Sequence, residues 1–400
     1  MTLTADSIWW NGRLHQPAAL HAATRPALLT DIPADARRLP GTLLPGLVDA
    51  HVHSALVDLA TVRAGGIAAV WDLGGEPSTV AAVAADHERR RMPRIRYAGP
   101  FLTAPGGYPS DRSWAPPGSW RDIHSPAEAI EAAAEAKSFG ATLIKVTAHA
   151  GGPLLSPEIM AAIVGEGLPV VVHAEGPGTV KLAVDAGAAY LAHTPWTEPL
   201  EPGLARACAE QTTWISTLDI HGWGRPTPEQ ATAIANLRLF LGNGGKVRYG
   251  TDLGNGPLPP AINPREIRLL QNAGMTPNEI LLSMTGDDFP TAPTDSTPPH
   301  PPAHSNPRQA PADSNPPHTP AHSDPRQAPA DRDPSQAPAG GNPPHTPAGG
   351  TAPQAPAGTD LPWVPYGALS WVPGGLDLDP TRFADSLATA RVLDSTVRPR

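Results

Sequence analysis

The chain has 400 residues, 40% hydrophobic and 17% charged, enough apolar material for one large α/β domain with attachments. Its formal net charge of −9, with no Lys/Arg cluster, argues against a nucleic-acid or anionic-membrane partner. A single cysteine, Cys208, excludes an internal disulfide and a cysteine-based zinc site and suits a reducing cytoplasm. No apolar run is long enough for a membrane span, and the opening residues lack signal-peptide order. The expectation is a soluble cytoplasmic protein that meets a small-molecule substrate, with homo-oligomerisation left open.

Residues 6–16 (DSIWWNGRLHQ) read as a strand with an Asn-Gly turn. Eight β-rich runs follow, at 43–53, 67–73, 95–101, 142–147, 169–174, 189–193, 214–218 and 246–251. Helix-like stretches lie between them, such as 126–139, which opens with Ser125-Pro126 as cap and first helical residue, and 179–186. Eight strands alternating with helices predict an α/β fold of the (β/α)8 TIM-like barrel type. The rival open, doubly wound sheet would carry a G-x-G-x-x-G after its first strand, and none is present.

Proline is over-represented, with 52 residues, and many fall between Pro290 and Asp360. There NPRQAPAD (306–313) returns as DPRQAPAD (324–331), and NPPHTPA occurs at 315 and again at 342. The tract holds no Trp, Tyr, Phe, Leu, Ile or Val, so it cannot bury enough apolar surface to offset ordering, and it reads as a disordered Pro/Ala-rich insert. Its histidines (His300, His304, His318, His322, His345) read as solvated repeat residues. Residues 383–398 supply one or two further strands, which with the N-terminus would make a small β-sandwich. The expected organisation is 1–42 for the first part of that sandwich, 43–288 for the barrel, 289–360 for the insert and 361–400 for the rest of the sandwich.

Polar side chains capable of binding a metal sit at the C-terminal ends of the predicted strands, where barrels carry their chemistry. His51 and His53 close the first strand as His-Val-His, and alternate residues of a strand face the same way. Lys145 lies in the fourth strand, His173 ends the fifth, His193 the sixth and Asp252 the eighth. Any one alone reads as an ordinary satisfied polar residue; the six in this order read as a metal site. Pro45-Gly46-Leu47-Val48-Asp49-Ala50-His51-Val52-His53, with those four later residues, resembles the metal-dependent amidohydrolase superfamily over roughly residues 42–286 and the two ends. Leu143-Ile144-Lys145-Val146 followed by Gly151-Gly152 is most similar to its imidazolonepropionase-like and Xaa-Pro or Xaa-Arg dipeptidase branch.

The resemblance implies a two-metal centre, zinc first and Mn, Fe or Co as alternatives. His51, His53 and Asp252 would hold one divalent ion, and His173 and His193 the other. Lys145, carboxylated by CO2, would bridge them as a carbamate. A bridging water brought to hydroxide would attack a carbonyl, with Asp252 taking and returning the proton. The implied activity is hydrolysis of a C–N bond in a linear or cyclic amide, a dipeptide-like substrate first. Lactone or ester hydrolysis, mononuclear deamination and a non-catalytic scaffold barrel are the alternatives. For substrate contacts, Tyr108 and Arg112 in the loop after the third strand suit either a cover over the site or a surface loop. His149 suits a polar contact or a loop cap, and His221 substrate contact or packing. Asn255 and Arg265 are weaker candidates, and Thr194-Pro195-Trp196 reshapes the pocket wall.

Overall fold

The computed structural model describes residues 1–22, 26–285 and 368–393, all within one compact unit. The proline-rich tract expected at 289–360 lies outside the described residues.

Strands from both ends of the chain share one mixed sheet. Its order is Arg391–Val392, Leu369–Val372, Arg37–Pro45, Thr2–Trp10, Ala18–His21 and Ala27–Leu29, with Arg13–His15 also paired to Thr2–Trp10. The Asn-Gly signal is realised as a two-residue hairpin. Trp10 pairs with Arg13, and Asn11 and Gly12 both have positive φ (48° and 78°), the backbone a primed turn requires. The described terminal strands thus form one hydrogen-bonded sheet.

The other strands are parallel. Val48–Val52, Ala69–Asp72 and Arg94–Tyr97 form one sheet. A second runs Trp120–Asp122, Phe101–Thr103, Ile144–His149, Val170–Glu175, Tyr190–Leu191, Thr213–Ile215 and Lys246–Arg248. Backbone hydrogen bonds link both edges of the three-stranded sheet to the seven-stranded one. Ala50 N donates to Tyr249 O (2.9 Å) and Leu253 N to His51 O (3.1 Å), while Thr142 N donates to Tyr97 O (3.1 Å).

Helices connect these strands, and many start with a polar cap followed by proline: Ser125 before Pro126–Ser138, Ser156 before Pro157–Gly165, Thr227 before Pro228–Gly242 and Asn263 before Pro264–Asn272. Proline at the first helical position gives up no hydrogen bond, so outside the tract the residue serves as a start signal. No helix among the described residues is long and apolar enough to cross a membrane.

Alternation along the strands sorts the side chains. Ile144, Val146 and Ala148, like Val170, Val172 and Ala174, join the main apolar cluster together with helix residues such as Ala133 and Ala183. Leu143 and Val171 pack on the opposite side with Val48, Ala50, Trp71, Ala192 and Ile215. Lys145 and His173 share that second side, because strand side chains alternate.

Two expectations change. The run expected as one strand at 43–53 serves two sheets: Arg37–Pro45 ends in the terminal sheet, and Val48–Val52 begins in the parallel one. Gly46 N donates to Ala368 O (3.0 Å), so the break depends on a partner from the far end of the chain. Where 383–398 was expected to supply one or two strands, Pro380–Leu387 is a helix capped by Asp379, and among the described residues that follow Arg391–Val392 is a strand. Phe383, Ala384 and Leu387 are spaced to bury one helical face, and Arg268–Asp385 and Gln271–Pro380 contacts fasten the helix to Pro264–Asn272.

Phe383 is fully buried, so Phe383→Ala should cost about 3–5 kcal/mol of unfolding free energy. Phe139→Ala, at a ring 38% exposed, should cost far less. Chemical denaturation of both variants checks this, and equal losses would contradict the assigned packing.

Candidate metal centre

The residues singled out at strand ends come together in one buried region. His51 and His53 follow from Val48–Val52, Lys145 lies in Ile144–His149, and His173 lies in Val170–Glu175. His193 and Asp252 sit just past Tyr190–Leu191 and Lys246–Arg248. All six are buried, from 1% exposed at His51 and Lys145 to 8% at His53. Among the described residues, His51, His193 and Asp252 offer ligand atoms that all lie within 4.8 Å of one another. His53 joins them through Asp252: its Nε2 is 3.1 Å, and that of His51 3.2 Å, from the same Oδ1.

The protonation pattern follows from the outer partners. His51 Nδ1 donates to Ala192 O (2.8 Å) and His53 Nδ1 to Gly74 O (3.4 Å); a carbonyl can only accept, so each neutral ring presents a lone pair at Nε2. His193 Nδ1 is 2.9 Å from Thr217 Oγ1. Burial holds His51 and His193 well below the usual imidazole range, and it does so against the attraction of Asp252. Burial would raise Asp252, but positive charge on the His51 and His53 side outweighs it and keeps the carboxyl well below its usual range. Oδ1 has no hydrogen-bond partner, whereas Oδ2 accepts from Asn255 Nδ2 (2.9 Å). Two imidazole lone pairs therefore aim at an orphaned carboxylate oxygen in a buried site. Such an arrangement is costly without a cation among the three atoms, and the donor set of nitrogen and oxygen suits a divalent metal.

His173 is placed differently. Its Nε2 donates to Glu175 Oε2 (2.9 Å), which leaves Nδ1 for an ion. Its ring lies 5.0 Å from that of His193. Lys145 pairs with Val171 in the adjacent strand, and burial, opposed by Asp252, lowers its ammonium to about 7.

The candidate substrate contacts separate. The Tyr108 ring stacks on both His173 (4.9 Å) and His149 (5.4 Å), and Thr147 Oγ1 donates to Tyr108 O, so its loop folds onto the site. Burial raises the Tyr108 phenol well above its usual range. Arg112 lies over Tyr108 at 5.5 Å beside Asp111, with its side chain 43% exposed. His149 pairs with Glu175 Oε1 (3.3 Å). His221 packs on Trp196 (4.9 Å), and burial lowers it to about 4. Asn255 holds Asp252, while Arg265 turns to Asp219 (2.8 Å) and serves the loop.

Three contributors escaped the sequence reading. Glu175 orients both His173 and His149; its position two residues beyond His173 repeats the His51–His53 spacing and was the available signal. Thr217 receives His193, and no local pattern marks it. Asp49 accepts from Thr251 Oγ1 (2.6 Å), Thr251 N (3.0 Å) and His51 N (3.0 Å), clamping the backbone beside two of the converging residues. Burial raises Asp49 to about 7 against these bonds. Trp196, noted as a departure, packs against His173 and His193 as well as His221.

No family model matches the chain, and no curated protein matches it in sequence. Solved structures do. A Xaa-Pro dipeptidase with methionine in its active site aligns at TM-score 0.57 and 18% identity, over 71% of this chain and 86% of that one. The A. niger ochratoxinase aligns at 0.58 and 20%, over 71% and 82%. A structure described as an amidohydrolase aligns at 0.58 and 20%, over 71% and 85%. The likeness is one of fold: the chain has the architecture on which these amidohydrolase-type structures are built, and its buried His-His-Asp cluster suggests a divalent metal.

Proposed function

We propose that this chain is a metal-dependent amidohydrolase that cleaves a C–N bond of a small amide, dipeptide-like substrates first. The observation that carries the reading is the convergence of His51 and His53 Nε2 on the orphaned Oδ1 of Asp252, with His193 beside them. The edge-to-edge hydrogen bonds between the two parallel sheets support reading them as a closed (β/α)8 barrel, with the site at the C-terminal ends of its strands.

In this reading His51, His53 and Asp252 would hold one divalent ion, zinc first, and His173 and His193 a second. Lys145, as a carbamate, would supply an anionic oxygen donor to the centre. Bound ions of this kind polarise a carbonyl and acidify a water. The protein's own groups do the rest. Ala192 O, Gly74 O and Thr217 Oγ1 fix the imidazole orientations, and Glu175 takes Nε2 of His173, leaving its Nδ1 as the nitrogen that could bind an ion. Asp252, anionic at neutral pH, accepts a proton at Oδ1 and returns it to the leaving amine. Tyr108 and Trp196 pack on the imidazoles and exclude water. Carbamate formation consumes a neutral amine and CO2 and releases a proton, and burial prepares Lys145 for it by lowering its ammonium to about 7.

Elemental analysis of purified protein should find roughly two equivalents of divalent metal, falling sharply in Lys145→Ala together with amide hydrolysis. One equivalent untouched by the substitution would favour a mononuclear site, and none would remove the hydrolase reading. The amine is protonated below about 7 and neutral above it. Metal-stripped protein given metal under a constant partial pressure of CO2 should therefore regain activity faster as the pH rises from 6 to 8. A reactivation rate that is flat or falls over that window would overturn the carbamate.

A further inference from the structure

The rim of the site is unusually apolar. Leu56, Trp114, Leu154 and Trp223 are 41, 40, 40 and 48% exposed, and each lies in a segment that follows a parallel strand at the end where the imidazoles sit. Of these, Trp114 reaches the buried site. Trp114 faces the His53 ring at 6.4 Å and Tyr108 at 6.1 Å, and Trp196 lies between the buried imidazoles and His221. Exposed apolar surface continuous with a buried polar site marks a place where a ligand's apolar part is received.

Trp223 adds an independent observation. Its φ is +47°, a left-handed backbone that a bulky residue rarely adopts, and yet its side chain points half into solvent. The loop is braced to hold it there. Trp223 N donates to Asp219 O (2.7 Å) and Gly224 N to Asp219 Oδ1 (2.9 Å). Asp219 is itself held by Asn263 and Arg265, and its N donates to the buried Glu266 (2.7 Å). The indole lies against Gly256, four residues past Asp252; a Cβ there would fall 2.6 Å from the indole nitrogen. A left-handed backbone kept at a half-exposed aromatic, on the loop that follows a parallel strand, points to function.

We infer that the substrate carries a planar aromatic group beyond the scissile bond, received by Trp223 and Trp114 over the Trp196 floor. The inference rests on the amide-hydrolase reading for the bond that is cut, but the aromatic binding is testable without it. N-(2-naphthoyl)glycine and N-acetylglycine serve as probes in equilibrium dialysis with the full chain. The naphthoyl probe should bind about tenfold tighter, and that preference should shrink about three- to tenfold in Trp114→Ala and in Trp223→Gly. Glycine relieves the left-handed backbone, so Trp223→Gly should unfold no more easily than the parent, and Trp223→Phe should keep the preference. Equal affinity for the two probes, or a preference that survives both substitutions, would overturn the assignment. So would a Trp223→Gly chain that loses stability but keeps the preference, or a dimer that dissociates on that substitution, which would give the patch to a second copy. Aromatic preference without glycine release from either probe by the metal-loaded protein would sink the hydrolase reading and leave the aromatic site standing.

Discussion

A buried carboxylate oxygen faced by two imidazole nitrogens, whose other ring nitrogens are already given to backbone carbonyls, is the constraint on which the rest of this structure is organised. Asp252 Oδ1, His51 Nε2 and His53 Nε2 repel one another unless a positive charge lies among them, and burial strengthens that repulsion. The fold must hold the three in place against it. It does so through partners one step removed: carbonyls of Ala192 and Gly74 fix the imidazole tautomers, and Asn255 occupies the other oxygen of Asp252.

Other buried carboxylates tie down the backbone. Asp49 collects the amides of His51 and Thr251 and the Thr251 hydroxyl, so the first strand and the segment entering Asp252 are fixed to one side chain. Glu266 collects the amides of Leu218 and Asp219, directly after Thr217, which orients His193. Burial raises both acids, Asp49 to about 7 and Glu266 to about 8, in spite of those bonds. Each clamp joins two elements far apart in sequence, so the same contacts that hold the fold also set the reach of the imidazoles. This is the usual way a rigid scaffold supplies precision to a site at its strand ends.

The aromatic groups divide between two tasks. Tyr108 stacks on an imidazole, Trp196 meets two of them edge to face, and together they give the site low-dielectric walls. Trp114 and Trp223 remain partly in solvent, where they give the rim its chemistry. Glu175 stands between these layers: it orients His173 from one oxygen and pairs with His149 through the other. A position expected to meet substrate alone is thereby coupled to one expected to meet metal.

Much of this was legible in the sequence because it depends on local spacing. The His51–His53 alternation, the position of Lys145 within a β-rich run and of His173, His193 and Asp252 at the ends of theirs, the Asn11-Gly12 hairpin and the Ser125-Pro126 helix start all rest on periods of two residues or one turn. The helix Pro380–Leu387 was also written locally, in Asp379-Pro380 and the spacing of Phe383 and Leu387, but it was read as strand. What only the tertiary structure decided depends on partners distant in the chain. Gly46 ends one strand because Ala368 meets it, and Arg265 serves the loop because Asp219 reaches it. His173 presents Nδ1 because Glu175 has taken Nε2. Local periodicity sets which way a side chain faces, but which lone pair remains free depends on every neighbour that the folded chain brings within hydrogen-bond reach.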